Sequence, residues 1–520
     1  MIDGSLNGTD EGRGRLLGEE VSEASLTAKT GIVGLGKMAN GVGVLLVNAL
    51  FARAMSKAEY GDYQYVWLVF NALLPLFLLG LPTSLLYFYP QTAGRERERL
   101  ILRTATLLAL SGLALVLLLH FVSPALSDQF QNPTLPGRLR RFSLYMFSIV
   151  STGFIDALLL SSGRHRSQAA IALLYATSFL VLASGAVLLG SDLEGLFWVF
   201  SILGAVRMLC VMGYAARVSG MFHGGPGALG WGSIRDQMRY AYPIGASDAI
   251  GTLARFMDKA IIARFFLSQT FAVYWNGAME VPFIGILLSS VSAVLTPELN
   301  RLGHLGETKP MHHLWHRAIS KTALIVLPVT AFCLLAAHAL MVFLFSAKYA
   351  MAAWPFRIYL LALPLRSAMY APMILALGRP KIVLWGALGD MVLNGGVSIL
   401  LIKILRTAAP DFAFLGPALS TVALTYLHVL FLLWFIKRSL SLEFSELLPW
   451  KRLRRAGMAS LVGMVPAIPV FYLPIGAFFS ILIAGVLFLP VYLWTVARWE
   501  HVGEELWGLV KGGLRRQKRG

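Results

Sequence analysis

The chain has 520 residues, of which 57% are hydrophobic and 14% are charged, and its mean hydropathy is +0.67. Soluble domains carry about 25% charged residues, so this composition excludes a soluble protein. The formal net charge of +18 would suit a nucleic-acid-binding protein, but the basic residues lie in short connections and in the C-terminal tail. We therefore predict no nucleic-acid partner.

Fourteen apolar segments follow one another along the chain, and each is long enough to cross a membrane as a helix. A hydrocarbon core of about 30 Å takes about 20 helical residues. Because lipid offers no hydrogen-bond partners, each segment must bond its backbone internally, which favours helices. We predict an all-α polytopic membrane protein with about 14 transmembrane helices. The predicted spans are residues 31–54, 63–89, 100–122, 140–162, 168–190, 195–217, 240–266, 272–297, 317–346, 354–377, 382–404, 413–437, 455–473 and 476–497.

The polar segments outside these spans have different expected roles. Residues 1–28 contain no apolar stretch of the kind found in a secretory signal, so we expect a disordered cytoplasmic tail. Residues 219–239 are rich in glycine and predict a cytoplasmic linker that ends in a short interfacial helix. Residues 439–498 are expected to form an interfacial helix and the last two spans, and residues 499–520 a basic cytoplasmic tail.

Lysine and arginine concentrate in the even-numbered connections between spans. Two of these clusters are Arg95 to Arg99 and Lys451 to Arg455. By the positive-inside rule, the even-numbered connections and both termini face the cytoplasm. The basic clusters also favour contact with the anionic headgroups of membrane lipids.

Short sequence matches recur between the two halves of the chain at offsets of 211 to 215 residues. Each repeat holds six spans, an even number, so the two halves share one orientation, as in parallel transporter repeats. We predict an N-lobe at residues 29–218 and a C-lobe at residues 240–438. The matched pairs are Arg53 with Arg264, Tyr63 with Tyr274, Phe142 with Phe356, Tyr145 with Tyr359, and Gly163 with Gly378.

Span seven carries four charged residues, Asp248, Arg255, Asp258 and Lys259. A charge near the bilayer centre costs about 2.5 to 3.5 kcal/mol. On a helix, Asp248, Arg255 and Lys259 fall along one stripe, with Asp258 at its margin. This stripe could line a hydrated transport cavity, or its charges could pair with one another. Both interpretations stay open.

Other charges inside the predicted spans extend this pattern, and arginine in particular donates to phosphate in a bidentate fork. We predict that the interior cations bind an anionic substrate and that the interior carboxylates couple transport to H⁺ or Na⁺, or neutralise the cations. A wholly structural role in ion pairs is the alternative. The cations are Lys37, Arg207, Arg255, Lys259 and Arg366, and the carboxylates are Asp248, Asp258, Glu280 and Asp390.

The sequence predicts no catalytic site, metal site or cofactor. Cys210 and Cys333 lie inside apolar spans without the spacing of a metal site or a disulfide framework. The stretch GLGKMANG resembles a dinucleotide-binding loop, but it lies within a spanning helix and follows no strand. No connection exceeds roughly two dozen residues, so we expect a protein that is not an enzyme.

Several stretches resemble one known family of transporters. They are KAEYGDYQYVWLV after span one, YPIGASDAIGTLARFMDKAIIARFF in span seven, the loop at Tyr274, and GRPK between spans ten and eleven. Over about residues 30–440 the chain resembles the polysaccharide biosynthesis branch of the multidrug, oligosaccharidyl-lipid and polysaccharide exporter superfamily, which contains O-antigen-type flippases. Asp258 and Lys259 lie where this family commonly has an acidic and a basic residue together.

This resemblance implies a flippase that moves a polyprenyl-diphosphate-linked oligosaccharide from the inner to the outer leaflet of a bacterial plasma membrane. It also implies alternating access between two lobes, often driven by an ion gradient, and cooperation with other polysaccharide assembly proteins. The two spans beyond the twelfth are similar to those of lipid II flippases and of some long polysaccharide exporters.

Two other classes of protein would share many of these features. A multidrug or cation antiporter of the same superfamily would have a similar fold, with fewer interior arginines and an essential carboxylate. A glycan polymerase or ligase would also be polytopic and basic, but it would be expected to carry a large extracytoplasmic loop. Arg207, Arg255 and Arg366 favour the flippase over the antiporter, because they suit a phosphate better than a cationic drug.

Overall fold

A computed structural model describes residues 41–221, 229–281 and 283–499. These residues form helices joined by short turns, and no β-strand occurs among them. Lys37, the predicted N-terminal tail and the tail after residue 499 lie outside the described residues. Helices α1 to α8 are Gly41–Ala54, Lys57–Leu78, Leu81–Phe88, Gly94–Phe130, Leu135–Ser151, Ile155–Ser161, His165–Leu188 and Leu193–Ser219.

The second half of the chain begins with a long helix. Helix α9 runs unbroken from Trp231 to Phe265, so the stretch predicted as a short interfacial helix is continuous with span seven. Residues 222–228 of the predicted linker lie outside the described ranges. Helices α10 to α19 are Ser268–Gly277, Ile284–His304, Thr308–Phe345, Ala353–Arg366, Tyr370–Ala376, Pro380–Ala408, Gly416–Leu440, Phe444–Leu447, Trp450–Ala467 and Ala477–Trp499.

Eleven helical segments of the described chain are long and apolar enough to cross a membrane. They correspond to predicted spans two to six and nine to fourteen. Span one is described only from Gly41, span seven is the charged helix α9, and span eight is divided into α10 and α11. The prediction of an all-α, multi-pass membrane protein is therefore confirmed.

The described chain divides into two compact units. Unit 1 contains residues 41–51, 69–128 and 132–252, and unit 2 contains residues 52–68, 129–131 and 253–499. The lobe boundaries proposed from the sequence stay predictions.

The internal repeat seen in the sequence is also a repeat of helix boundaries. Helix α1 ends at Ala54 and α9 ends at Phe265, while the helices that follow them begin at Lys57 and Ser268. Both pairs of positions are 211 residues apart, the offset that relates Tyr63 to Tyr274. The boundary between these two helices therefore recurs in both halves of the chain.

A broken span recurs at the same place in each half. In unit 1 the seven-residue helix α6 follows α5, and in unit 2 the seven-residue helix α14 follows α13. The short helices are followed by Gly163 and Gly378, whose φ angles are 73° and 71°. Only glycine adopts this left-handed conformation without strain from a Cβ atom, which explains why the Gly-Arg motif appears in both halves.

Unit 1 is held together by a close approach between helices and by a buried polar cluster. A Cβ atom on Gly245 of α9 would lie 2.5 Å from the backbone of Leu79 and Gly80, so the two chain segments touch directly. About two turns earlier on α9, the buried Gln237 side chain donates to the hydroxyls of Ser84 and Thr104 at 3.0 and 2.8 Å. These contacts join the first part of α9 to α3 and α4.

In unit 2 the last two spans pack against helix α12. Ala459 of α18 and Ala484 of α19 are fully buried in a cluster with Ala331 of α12. The Tyr492 hydroxyl donates to the Leu324 carbonyl oxygen at 2.7 Å. Beside this contact an apolar groove of about 960 Å³ runs between α12 and α19. The last two spans therefore lie against one long helix, and an apolar groove remains beside it.

Candidate functional site

Unit 2 contains a cavity of about 290 Å³ at the point where two of its spans are broken. Span eight is interrupted between Gly277 and Ile284, and span ten between Arg366 and Tyr370. Backbone N–H and C=O groups without a partner in their own helix are tolerated inside a membrane where they line a hydrated cavity or form hydrogen bonds with other groups. The polar residues that line the cavity are Arg255, Asp258, Lys259, Glu280, Tyr359, Arg366, Thr421 and Thr425.

The break in span ten is stabilised by side chains of α12. The Trp315 indole donates to the Ala368 carbonyl oxygen at 2.7 Å, and this tryptophan is fully buried in the core of unit 2. The Thr322 hydroxyl reaches the Ser367 carbonyl oxygen at 3.4 Å. These bonds satisfy carbonyls that a continuous helix would have bonded itself, so the break has a fixed geometry.

Asp258 is the most buried charged residue of the cavity, with 5% of its surface exposed. Tyr274 donates its hydroxyl proton to Asp258 Oδ2 at 3.1 Å, and the Tyr359 hydroxyl donates to the same oxygen. Lys259 Nζ lies 3.7 Å from this oxygen. Because a buried carboxylate needs hydrogen bonds or an opposite charge, these three groups explain why Asp258 is tolerated here.

The two tyrosines meet because α10 and α13 approach each other closely. A Cβ atom on Gly277 would lie 2.4 Å from the Ala352 carbonyl oxygen and 2.3 Å from Pro355 Cγ, so no larger residue fits between the helices. This approach places the hydroxyl oxygens of Tyr274 and Tyr359 2.9 Å apart.

Sequence reasoning did not identify Tyr274 or Tyr359 as site residues, although both occur in the internal repeat. Their positions match Tyr63 and Tyr145 in the first half. In unit 1, Tyr145 also forms a hydroxyl pair, with Tyr175 at 2.5 Å. The recurrence of tyrosine at matching positions of the two halves is therefore the sequence feature that could have identified Tyr274 and Tyr359 as site residues.

The second charged pair of the cavity lies at the two helix breaks. Arg366 Nη1 and Glu280 Oε1 are 3.0 Å apart, and 47% and 64% of their side-chain surfaces are exposed. Arg366 is the last residue of α13, where the helix dipole favours a cation, and Glu280 precedes the start of α11, which favours an anion. Exposed ion pairs contribute only about 0 to 1 kcal/mol, so either partner is readily exchanged.

Two further cations, both on α9, line the same cavity. Arg255 is exposed, and Lys259 follows it by about one turn. The Lys259 ammonium lies 5.8 and 5.7 Å from the ring centroids of Phe256 and Trp275, within the range of cation–π attraction. The cavity thus combines three cations with two carboxylates, five of the nine charged residues predicted from the sequence.

The structure does not place the other four predicted residues at this cavity. Arg207 and Asp248 belong to unit 1, and Asp390 lies on α15 without lining the cavity. Lys37 lies outside the described residues. Arg207 Nη1 donates to the Thr152 hydroxyl, and its guanidinium lies 4.9 Å from the Tyr175 ring centroid.

Two buried asparagines join neighbouring helices. Asn394 Nδ2 of α15 donates to the Thr421 hydroxyl of α16 at 3.1 Å, and Ser420 donates to Asn394 Oδ1 at 2.9 Å. Asn276 accepts the Tyr60 hydroxyl at 2.8 Å. Both positions therefore favour interhelical hydrogen bonding over a wet lumen, although Thr421 also lines the cavity.

Comparison of the sequence with known proteins gives two findings. The sequence profile of a family described as "Polysaccharide biosynthesis protein" matches residues 50–353, more than half of the chain. A search of curated protein sequences gives no match.

Solved structures share the fold. A lipid II flippase MurJ in an inward closed conformation superposes with a TM-score of 0.69 at 14% identity, over 92% of this chain and 100% of that one. An inward-facing multidrug resistance MATE transporter of the MOP superfamily superposes with a TM-score of 0.60 at 15% identity, over 78% of this chain and 94% of that one. A MOP superfamily transporter from Pyrococcus furiosus superposes with a TM-score of 0.54 at 14% identity, over 79% of this chain and 96% of that one.

Proposed function

Because the chain belongs to the polysaccharide biosynthesis protein family, we propose that it is a flippase for a polyprenyl-diphosphate-linked oligosaccharide. In this proposal the substrate crosses a bacterial plasma membrane by alternating access, and the protein makes and breaks no covalent bond. Both termini face the cytoplasm, and other polysaccharide assembly proteins supply and consume the substrate.

The observation that carries this proposal is the grouping of Arg255, Lys259 and Arg366 around one cavity at the helix breaks. A diphosphate offers several oxygen acceptors in a small volume, and guanidinium groups bind such oxygens in pairs. Asp258 is held by two tyrosine hydroxyls, whereas the contact of Glu280 is with the half-exposed Arg366. Arg366 is therefore the cation that an incoming phosphate engages most easily.

The size of the cavity fits one part of such a substrate. Pockets for drug-sized ligands have volumes of roughly 300 to 1,000 Å³, so about 290 Å³ suits a diphosphate rather than a whole lipid-linked oligosaccharide. The glycan and the lipid then extend beyond the cavity described in unit 2.

Coupling to an ion is a further part of the proposal. Asp258 is the cavity carboxylate that lies away from solvent, and its oxygen is shared by Tyr274, Tyr359 and Lys259. Binding of H⁺ or Na⁺ at this carboxylate would weaken its electrostatic attraction to Lys259. The net charge of the cavity would then become more positive. Asp390 on α15 is the second candidate for this role.

The test is to deplete the protein in its source organism and to extract the membrane lipids. We expect a polyprenyl-diphosphate-linked glycan to accumulate on the cytoplasmic leaflet, where a membrane-impermeant reagent added outside does not reach it. The mass of the accumulated lipid would identify the sugar repeat. Unchanged levels and leaflet distribution of such lipids would contradict the proposal.

A drug or cation antiporter is the second candidate function. It is favoured by the fold shared with MATE transporters and by the buried Asp258, which suits an essential coupling carboxylate. Depletion would then leave lipid-linked glycans unchanged and would increase sensitivity to cationic drugs. The three cavity cations oppose this function, because they repel a cationic drug.

A further inference from the structure

The connection between α16 and α18 carries basic side chains that the proposed transport cycle does not use. Lys437 and Arg438 lie in the last turn of α16, and four more cations occupy the first two turns of α18. None of the six forms an ion pair within the described ranges of the chain. We call residues 437–455 the basic segment. The cations of α18 are Lys451, Arg452, Arg454 and Arg455.

The basic segment is anchored on the rest of unit 2. The short helix α17 buries Leu447 in the core that contains Met311 and Trp315. His316 Nε2 lies 3.1 Å from the Leu447 carbonyl oxygen, a second contact between α12 and the connection. These contacts hold the start of α18 at a fixed position, so its cations form a preorganised surface.

The basic segment turns at a membrane surface. Helices α16 and α18 both belong to segments that are long and apolar enough to span a bilayer, so the chain between them lies at the boundary of hydrocarbon and water. The aromatic side chains of Trp434, Phe444 and Trp450 are exposed there. Aromatic rings with a polar edge favour the headgroup level of a bilayer.

The carboxylates within the basic segment balance only part of its positive charge. Its two acidic residues, Glu443 and Glu446, form a capping box at the start of α17, in which the Glu446 carboxylate accepts the Glu443 backbone N–H at 3.4 Å. Six cations and two carboxylates leave a net charge of +4 between Lys437 and Arg455. The α18 cations also lie near the positive end of their helix dipole, so the helix does not compensate them.

We propose that the basic segment is a binding site for the phosphate headgroups of anionic phospholipids. Lipid phosphates lie in the layer where this segment turns, and lysine and arginine donate charge-assisted hydrogen bonds to phosphate oxygens. The bound lipids supply the missing negative charge, while the Trp450 indole inserts at the level of the headgroups.

The test uses the purified full-length protein and two lipids, phosphatidylglycerol and zwitterionic phosphatidylcholine. The variant is Lys451→Gln/Arg452→Gln/Arg454→Gln. We expect the wild-type protein to retain phosphatidylglycerol in preference to phosphatidylcholine in native mass spectrometry, and to unfold at a higher temperature when phosphatidylglycerol is added. Because each basic residue near an anionic surface contributes substantially to binding, the variant should retain at least about tenfold less phosphatidylglycerol.

The matched control is Arg95→Gln/Arg97→Gln/Arg99→Gln, which removes the same charge from another basic connection. There Arg97 donates to the Thr92 carbonyl oxygen and Arg99 pairs with Glu96, so two of the three cations already have partners. We expect this control to keep its preference for phosphatidylglycerol.

Three outcomes would overturn the proposal. These are equal loss of lipid retention in the variant and the control, unchanged retention in the variant, and the same stabilisation by inorganic phosphate alone. If the triple variant does not fold, the double variant Lys451→Gln/Arg454→Gln is measured in its place, and an unchanged lipid preference there would likewise refute the site.

Discussion

Glu280 and Arg366 form an ion pair of 3.0 Å across two helix breaks, at the edge of the cavity in unit 2. A carboxylate that binds a guanidinium occupies the place that a phosphate oxygen would take. Asp258, the other carboxylate of the cavity, is buried and held by the hydroxyls of Tyr274 and Tyr359. Under the proposed function, Glu280 is therefore the group that an anionic substrate displaces.

The first prediction concerns this displacement. Glu280→Gln removes the competing charge, and we expect it to strengthen the binding of inorganic pyrophosphate by up to about fivefold, since a half-exposed ion pair contributes about 0 to 1 kcal/mol. Isothermal titration calorimetry on the purified protein measures this change. Glu298→Gln is the control, because Glu298 pairs with Arg301 at 2.7 Å outside the cavity. Weaker binding by Glu280→Gln than by wild type would show that Glu280 does not compete with the anion.

The second prediction concerns the cavity cations. Arg255→Ala and Arg366→Ala should lower glycan export about tenfold or more, because a hydrogen bond to a charged group contributes about 1.5 to 3 kcal/mol. Complementation of a depleted strain measures export, and the amount and unfolding temperature of the purified variants show whether they still insert and fold. Arg301→Ala is the control on an exposed arginine outside the cavity. Normal export by both cavity variants would assign Arg255 and Arg366 a structural role only.

The third prediction concerns the support of the buried carboxylate. Tyr359→Phe removes a donor to Asp258 Oδ2, and an under-bonded buried polar group costs about 1 to 3 kcal/mol. We expect a lower unfolding temperature in detergent. Tyr472→Phe should leave that temperature unchanged, because Tyr472 is 86% exposed and its hydroxyl makes no hydrogen bond to the described part of the protein. Equal effects of the two changes would refute this account of Asp258.

The fourth prediction compares two glycines in helices. In Gly277→Ala the new methyl group meets the Ala352 backbone and Pro355, so α10 and α13 must separate at a cost of about 1 to 3 kcal/mol. Gly457→Ala in α18 meets no atom within 4 Å, and alanine favours a helix by about 0.5 to 1 kcal/mol. Thermal unfolding should therefore show opposite shifts for the two variants. A stable Gly277→Ala protein with normal export would show that this close approach does not determine the site.

Much of the fold could be predicted from the chain because hydrophobicity is a local property. Twenty apolar residues in a row specify a spanning helix whatever lies around them, and the basic connections such as Lys451 to Arg455 mark its ends. The repeat was visible for the same reason: a turn that requires glycine, as at Gly163 and Gly378, keeps its glycine in both halves. Charges within the spans, such as Asp258, can also be recognised from the chain alone.

The pairing of those charges depended on the tertiary structure. Glu280 and Arg366 are 86 residues apart, and Asp258 and Tyr359 are 101 residues apart. Their contacts depend on where spans eight and ten break and on how closely Gly277 lets two helices approach, neither of which follows from composition. The sequence by itself determined that this is a many-spanning helical membrane protein with charges inside its spans. Only the tertiary structure decided that five of these charges share one cavity, because such contacts join helices that the chain order keeps apart.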